Sequence, residues 1–352
     1  MKFDVVIGNP PYQENDNGKR VDGSANASAK PLYHFYMNLA KKVGTIQSLI
    51  MPARWTTGAG KGLGTFSKET LSDNHFKSFH LYTNSSDIFS NIDIKGGIVY
   101  FVRDANYAGP AEILVTKNSE QNKRIGYLDK NNLGVFIPYS ELNNIFEKIR
   151  LSTDLENRSL QKITSVLKPY GLRTDFFLNQ TKYNLPPVSL KKKSDDDIKI
   201  IGLLKGKRVI RYVPKDYPVP AGNDSIYTYK VFVPYAYGSG MFGETIPEQV
   251  IGEKGMISTE TFLRIGNFST INEALALKKY LCTKFARSLI GILKITQHST
   301  TTYKLVPLQN FKMNSEINWS ESIPEIDQQL YKKYGLDQNE IDFIESKVKP
   351  MD

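Results

Sequence analysis

The first apolar run, Phe3-Asp4-Val5-Val6-Ile7, is short, rich in β-branched residues and lacks polar alternation. It stops at Gly8, Asn9, Pro10 and Pro11, a pattern that predicts a buried strand of an α/β sheet. Residues 13–31 are polar and rich in Gly, Ser, Asn and Lys. A loop of that length in a compact domain is usually functional or mobile. A helix is predicted over Leu32–Val43, with Tyr36, Leu39, Ala40 and Val43 on one face and Gly44 as its stop. Ile46–Met51 predicts a second strand, ended by Pro52. A Gly-rich stretch, a helix over Thr65–Leu71 and strands over Phe76–Tyr82, Gly97–Val102 and Ala111–Val115 follow. That order describes half of a doubly wound sheet.

From about residue 120 the pattern changes: Tyr, Pro and Gly punctuate short apolar runs. Lys191–Asp197 is a charge run that reads as a solvated loop, and residues 198–266 read as strands and turns. A helix is predicted from Thr270, where Glu273 completes a capping box. Its apolar stripe is Ile271, Leu275, Leu281, Phe285, Leu289 and Ile292. Two more helices close the chain. Ser322 with Glu325 opens one, which stops at Gly335, and Asp337 with Glu340 opens the other. The expected division is 1–118, a partial catalytic α/β domain; 119–312, a mixed α+β domain; and 313–352, a helical tail.

Composition narrows the class. Of 352 residues 40% are hydrophobic and 23% charged, the balance of a folded soluble protein. The formal net charge of +10 is compatible with a polyanionic partner. One cysteine, Cys282, excludes an internal disulfide and a cysteine-built metal site, and suits a reducing cytoplasm. His34, His75, His80 and His298 show no ligand spacing, so no metal is expected. No apolar run approaches the roughly 20 residues of a membrane span.

The chemistry concentrates at Asn9-Pro10-Pro11-Tyr12. An exocyclic amino group is a poor nucleophile because its lone pair is delocalised into the ring. Accepting hydrogen bonds from both amino hydrogens frees that lone pair. Asn9 offers a side-chain carbonyl and Pro10 a backbone carbonyl. Each residue before a proline is held extended, so the pair is pre-set. Tyr12 offers a ring on which a flipped base stacks, worth about 1–3 kcal/mol. The tetrapeptide also falls at the carboxyl end of a strand, where ligands of doubly wound sheets bind. An ordinary strand-ending turn accounts for one proline and the asparagine, but not for the whole tetrapeptide in this place.

FDVVIGNPPYQ resembles the fourth motif of the adenine-specific DNA methyltransferases of bacterial restriction-modification systems, of the fused methylase–specificity type. LYHFYMNLAKKV (32–43), SLIMPARW (48–55) and IFSNIDIKGGIVYF (88–101) resemble the elements that follow it, so the likeness covers roughly the first 105 residues. Residues 268–300 and 325–336 resemble the carboxyl third of such chains. The resemblance implies the second half of a Rossmann-like methyltransferase sheet, followed by a target-recognition domain and a helical tail. It implies S-adenosylmethionine as cofactor, in part against Asn9 and Pro11, and double-stranded DNA as substrate. It also implies an aromatic packed on the flipped base opposite Tyr12, placed at Phe101 with Phe89 as the fallback.

The family's Gly-rich cofactor turn precedes this motif, yet only eight residues do so here. Gly58–Gly64 has neither the helix-opening context nor an acidic partner, and Gly202–Gly206 is no better. Three explanations stand: a carboxyl-terminal portion of a longer or split enzyme, which is favoured; a partner polypeptide encoded upstream that carries the cofactor motif; or a remnant without catalysis. Weak or absent cofactor binding by the chain alone is expected.

DNA contacts are expected from Lys205, Lys207, Arg208 and Arg211, from Lys61 in the glycine run, and from Gln297 in the polar stretch Gln297–Thr302. The competing readings of the basic strand and polar stretch are a charged strand edge and a helix-terminating loop. No nuclease signature is evident. The favoured function is a site-specific DNA adenine-N6 methyltransferase. The alternatives are a DNA-binding specificity protein with an inactive methyltransferase half, and a methyltransferase acting on glutamine amides or RNA guanine.

Overall fold

The computed structural model describes residues 2–14, 30–58, 62–89, 94, 96–117, 120–294 and 296–351. The chain divides into two compact units, Met1–Asn143 and Asn144–Asp352.

The first unit is built on a six-stranded sheet. In chain order its elements are β1 (Phe3–Gly8), α1 (Tyr33–Val43), β2 (Gly44–Pro52), α2 (Gly64–Leu71), β3 (Phe76–Tyr82), β4 (Ile98–Asp104), β5 (Ala111–Lys117) and β6 (Glu120–Gly126). The strand order is β1-β2-β4-β3-β5-β6. β1 and β2 are parallel through α1, and β3 and β5 are parallel, while β4 runs antiparallel between β2 and β3. The carboxyl ends of β1, β2, β3 and β5 therefore lie along one edge.

Strand alternation splits the sheet into two unlike faces. On one face Leu49, Phe101, Phe79 and Ile113 stand in register and are buried. Tyr33, Met37 and Ala40 of α1 and Phe66 and Leu71 of α2 join that core. The other face carries Ile50, Tyr100, His80 and Leu114 in register, and Tyr100 is exposed. The doubly wound expectation is thus met on one face only, because no helix among the described residues of this unit covers the second. β1 lies at the sheet edge, and the expected buried strand is open instead: Phe3, Val5 and Ile7 are 50%, 53% and 76% exposed. On α1 the buried positions are Tyr33, Met37 and Ala40, whereas Tyr36 and Leu39, expected inward, are exposed. The helix is rotated because Met37 and Ala40 pack on the β1–β2 side of the sheet.

The expected boundary at 118 falls inside a hairpin. β6 pairs with β5 along seven residues, so the sheet extends to Gly126. The polar composition of β6 hid it, since an edge strand needs little apolar alternation.

The second unit holds two three-stranded sheets, β10-β9-β12 and β11-β7-β8. Their strands are β7 (Ile198–Leu204), β8 (Lys207–Val213), β9 (Tyr229–Pro234), β10 (Val250–Gly252), β11 (Met256–Ser258) and β12 (Phe262–Phe268). Its helices are α4 (Leu155–Arg158), α5 (Ile271–Cys282), α6 (Lys284–Leu293), α7 (Ile323–Lys333) and α8 (Gln338–Lys347); α3 (Ser140–Ser152) runs across the boundary between the units. All three expected capping boxes form, at Thr270/Glu273, Ser322/Glu325 and Asp337/Glu340. The single long helix expected after Thr270 breaks at Thr283. That residue is extended, and its hydroxyl caps Ala286 N as α6 begins. Asp327 of α7 adds to the cap, accepting from Lys284 N and Phe285 N. The helical tail is not separate: α7 and α8 pack on α5 and α6.

Candidate active site

The carboxyl edge of the sheet gathers three loops. After β1 come Asn9, Pro10, Pro11 and Tyr12. Asn9 and Pro11 are exposed, Pro10 is buried and Tyr12 is half-buried. The chain leaving the motif pairs with the chain entering α1: Leu32 N donates to Tyr12 O at 3.1 Å and Glu14 N to Lys30 O at 2.9 Å. This closure ties Tyr12 to the residues that lead into α1.

After β2, Pro52 and Ala53 lead into a tight turn, Arg54–Thr57, which Gly58 ends at φ 67°. Ala53 N donates to Gly97 O, joining this loop to the start of β4. Gly97 has φ 80°, and a Cβ there would lie 2.1 Å from Tyr82 O, so only glycine lets β4 begin this close to β3. After β3, Asn84 caps the turn Ser85–Asp87, and Phe89 follows, half-buried, its amide donating to Ser85 O.

Three polar atoms near this edge are buried and find no hydrogen-bond partner among the described residues: Tyr12 Oη, His34 Nδ1 and Trp55 Nε1. Folded proteins leave few such groups, and each asks for an explanation. Burial raises the Tyr12 pKa, and the nearby Asn9 side chain opposes that shift without meeting hydrogen-bond geometry. Burial also raises Tyr33, to about 12, although the Arg54 guanidinium pulls the other way. Trp55 itself belongs to the core, edge-on to Phe66 and Phe79.

The structure separates the two aromatics named for base stacking. Phe101 is fully buried, edge-on to Phe76 at 5.1 Å, on the helix-covered face. Its inward register opposite Leu49 and Phe79 makes it a core residue, not a platform. Phe89 sits instead in the loop at the same sheet edge as Tyr12.

Sequence reasoning missed a polar cluster on the open face. His80 Nδ1 lies 2.7 Å from Tyr100 Oη and its Nε2 2.8 Å from Thr116 Oγ1, while the Tyr82 ring stacks on it at 4.1 Å. Burial lowers the His80 pKa, favouring the neutral ring. The period-two spacing of His80 and Tyr82 was the available signal; their meeting with Tyr100 needed the β3–β4 register.

In the second unit the expected basic strand is not one cluster. Lys205 and Lys207 stand at the two-residue turn between β7 and β8, where Lys205 and Gly206 have φ 49° and 76°. Arg208 and Arg211 lie on opposite faces of β8, and both are engaged. Arg208 donates to Glu248 O and lies 5.5 Å from the Phe262 ring. Arg211 donates to Ile210 O and lies 5.6 Å from Phe177. Gln297 is exposed, whereas Ser299 and Thr302 in the same stretch are buried. Lys61 lies outside the described residues.

Known proteins resemble this chain most clearly where the motif lies. The profile of the Eco57I restriction-modification methylase family matches residues 1–89. An uncharacterized adenine-specific methylase of Mycoplasma pneumoniae is 33% identical over 145 residues, which are 41% of this chain and 32% of that protein. The chain thus spans about a third of the length of that curated relative. Among solved structures, the type IIL restriction-modification enzyme MmeI in complex with DNA is 11% identical with a TM-score of 0.47, covering 98% of this chain and 56% of its own. The type IIG restriction endonuclease BpuSI is 13% identical with a TM-score of 0.36, covering 98% and 54%. Over residues 1–89 this chain is therefore similar to the methylases of the Eco57I restriction-modification family.

Proposed function

We propose that this chain is the catalytic and target-recognising part of a restriction-modification methyltransferase that transfers a methyl group from S-adenosylmethionine to the N6 amino group of an adenine flipped out of duplex DNA. The observation that carries this reading is the placement of Asn9-Pro10-Pro11-Tyr12. The tetrapeptide directly follows β1 at the shared carboxyl edge, with Asn9 exposed and the Tyr12 hydroxyl unpartnered. Asn9 Oδ1 and the Pro10 carbonyl accept the two amino hydrogens, and Tyr12 stacks on the base. Phe89, at the same edge, takes the second face in place of Phe101.

S-adenosylmethionine supplies the electrophilic methyl group. The described residues fit one wall of its pocket, at Asn9 and Pro11, and not the whole. The other flank is the free side of β1, where no glycine-rich turn lies among them. A further polypeptide segment carrying that turn, on this chain or on a partner encoded upstream, completes the site. The second unit supplies target recognition, and the working compartment is the cytoplasm. No helix of the described residues is long and apolar enough to cross a membrane.

The test is co-expression with the upstream polypeptide and an assay of methyl transfer to adenine in duplex DNA. Transfer that is lost in Asn9→Ala, with DNA binding retained, supports the reading. DNA binding without transfer by the unaltered pair favours a specificity protein with an inactive methyltransferase half.

A further inference from the structure

Two surface loops of the second unit are locked together by one buried ion pair, and we propose that they form the base-reading edge of its DNA surface. The inference rests on the DNA-methyltransferase reading above. Tyr235–Tyr237 and Gln297–Ser299 make a short antiparallel ladder. Tyr237 N donates to Gln297 O at 2.8 Å and Ser299 N to Tyr235 O at 3.0 Å, with Ala236 opposite His298. The rings of Tyr235 and His298 stack at 4.9 Å.

Lys294, its side chain 2% exposed, holds both loops from beneath. Its ammonium donates to Tyr237 O at 2.9 Å and to Thr296 O at 3.1 Å, pairs with Glu244, and lies 4.1 Å from the Tyr237 ring centre. The Glu244 carboxylate in turn accepts from Ser239 N at 2.9 Å and Gly240 N at 3.2 Å. Gly238 has φ 61°, a left-handed conformation that favours glycine, where the turn closes on the Glu244 carboxylate.

A buried ion pair seldom stabilises more than a well-packed apolar substitute, but it can hold one geometry. Here it holds two loops in register, which lowers the ordering cost of binding. The chemistry left outside is specific. Of the cations that touch these loops, Lys294 and Arg287 are buried, each 2% exposed, and serve as internal struts, whereas Lys349, whose amide donates to Gly243 O, is exposed at the flank. Ser239, Gln297, His298 and Thr301 are exposed, as is Met241 at 58%. Hydroxyl and amide groups with one apolar thioether suit base edges and the thymine methyl; phosphate contacts draw mainly on lysine and arginine.

The full chain should be used to select duplexes from a randomised DNA pool, with the salt dependence of binding measured alongside. Gln297→Ala and Ser239→Ala are each expected to relax preference at a single base pair by about 5- to 150-fold, as lost base contacts do. The slope of affinity against salt should stay unchanged. Glu244→Gln is expected to blur preference at several positions together. Unchanged sequence preference in all three variants overturns the proposal. So does a uniform loss of affinity with a shallower salt slope, which marks phosphate contacts. A wild-type chain that selects no duplex even when co-expressed with the upstream polypeptide overturns the DNA-methyltransferase reading itself. The loop proposal alone fails when wild type and variants discriminate equally well. The two surface variants keep the test intact if Glu244→Gln does not fold.

Discussion

Val5 stands opposite Ile46 in the parallel ladder of β1 and β2, yet Val5 is 53% exposed because it lies on the edge strand and points to the sheet face that no described helix of this unit covers. Parallel strands are almost always covered on both faces, and an apolar edge left open invites association. Ile7, 76% exposed on the same face, is the place to test this. Ile7→Lys should leave the chain's unfolding free energy within about 0.5 kcal/mol, as for other surface substitutions. It should also reduce anilinonaphthalene sulfonate fluorescence and self-association. Calorimetric titration of the chain alone with S-adenosylmethionine should give no binding heat; a tight isotherm would place the whole pocket on these residues.

Asn9 is exposed at the end of β1, so its removal should cost chemistry and not folding. Asn9→Ala should lower methyl transfer by about 100-fold or more, the usual cost of losing one positioned polar group in a transition state. The melting temperature and the affinity for duplex DNA should hold. Equal transfer rates in wild type and variant would remove Asn9 from the mechanism.

Phe89 and Phe101 should part company in a paired experiment. Phe101→Ala empties a fully buried site and should destabilise by about 3–5 kcal/mol in chemical denaturation. Phe89→Ala should unfold close to wild type, yet weaken the emission of 2-aminopurine placed at the target adenine, which reports base flipping. The reverse pattern would return the platform to Phe101.

Lys230 is fully buried, and its ammonium donates to the carbonyls of Ser225, Ile226 and Thr228. Burial lowers its pKa from 10.5 to about 7, with the Arg264 charge adding to the effect. Below about pH 7 both folded and unfolded chains carry the proton, so the contribution is constant. Between about pH 7 and 10.5 the unfolded chain binds more protons, and this group makes stability rise with pH. Urea midpoints at pH 6.5, 8 and 9.5 should show the rise in wild type and a smaller one in Lys230→Met. Identical slopes would mean that Lys230 stays charged when folded, held by its three carbonyls.

The Asn9–Tyr12 motif and the strand before it were readable because their signals are local. Pro10 and Pro11 stop a strand wherever that strand lies, and the capping boxes at Thr270, Ser322 and Asp337 need only three residues of spacing. The boundary at 118 was misplaced because β6 carries charge and amide side chains, and only its ladder with β5 shows it to be a strand. The break at Thr283 was invisible for a related reason: the apolar stripe runs on across it, and Asp327, distant in sequence, caps the second helix.

The sequence by itself determined the motif, the strand that presents it and the polar or apolar character of most elements, since these depend on side-chain chemistry and short-range periodicity. Only the tertiary structure decided which face each residue takes. It turned Phe101 into the core and left Phe89 at the sheet edge, opened β1 and its outer face, and drew Lys294 and Glu244 together across 50 residues of chain. The physical reason is register: a strand's side chains alternate, so pairing with a neighbour distant in sequence determines what is buried, and no local pattern encodes that neighbour.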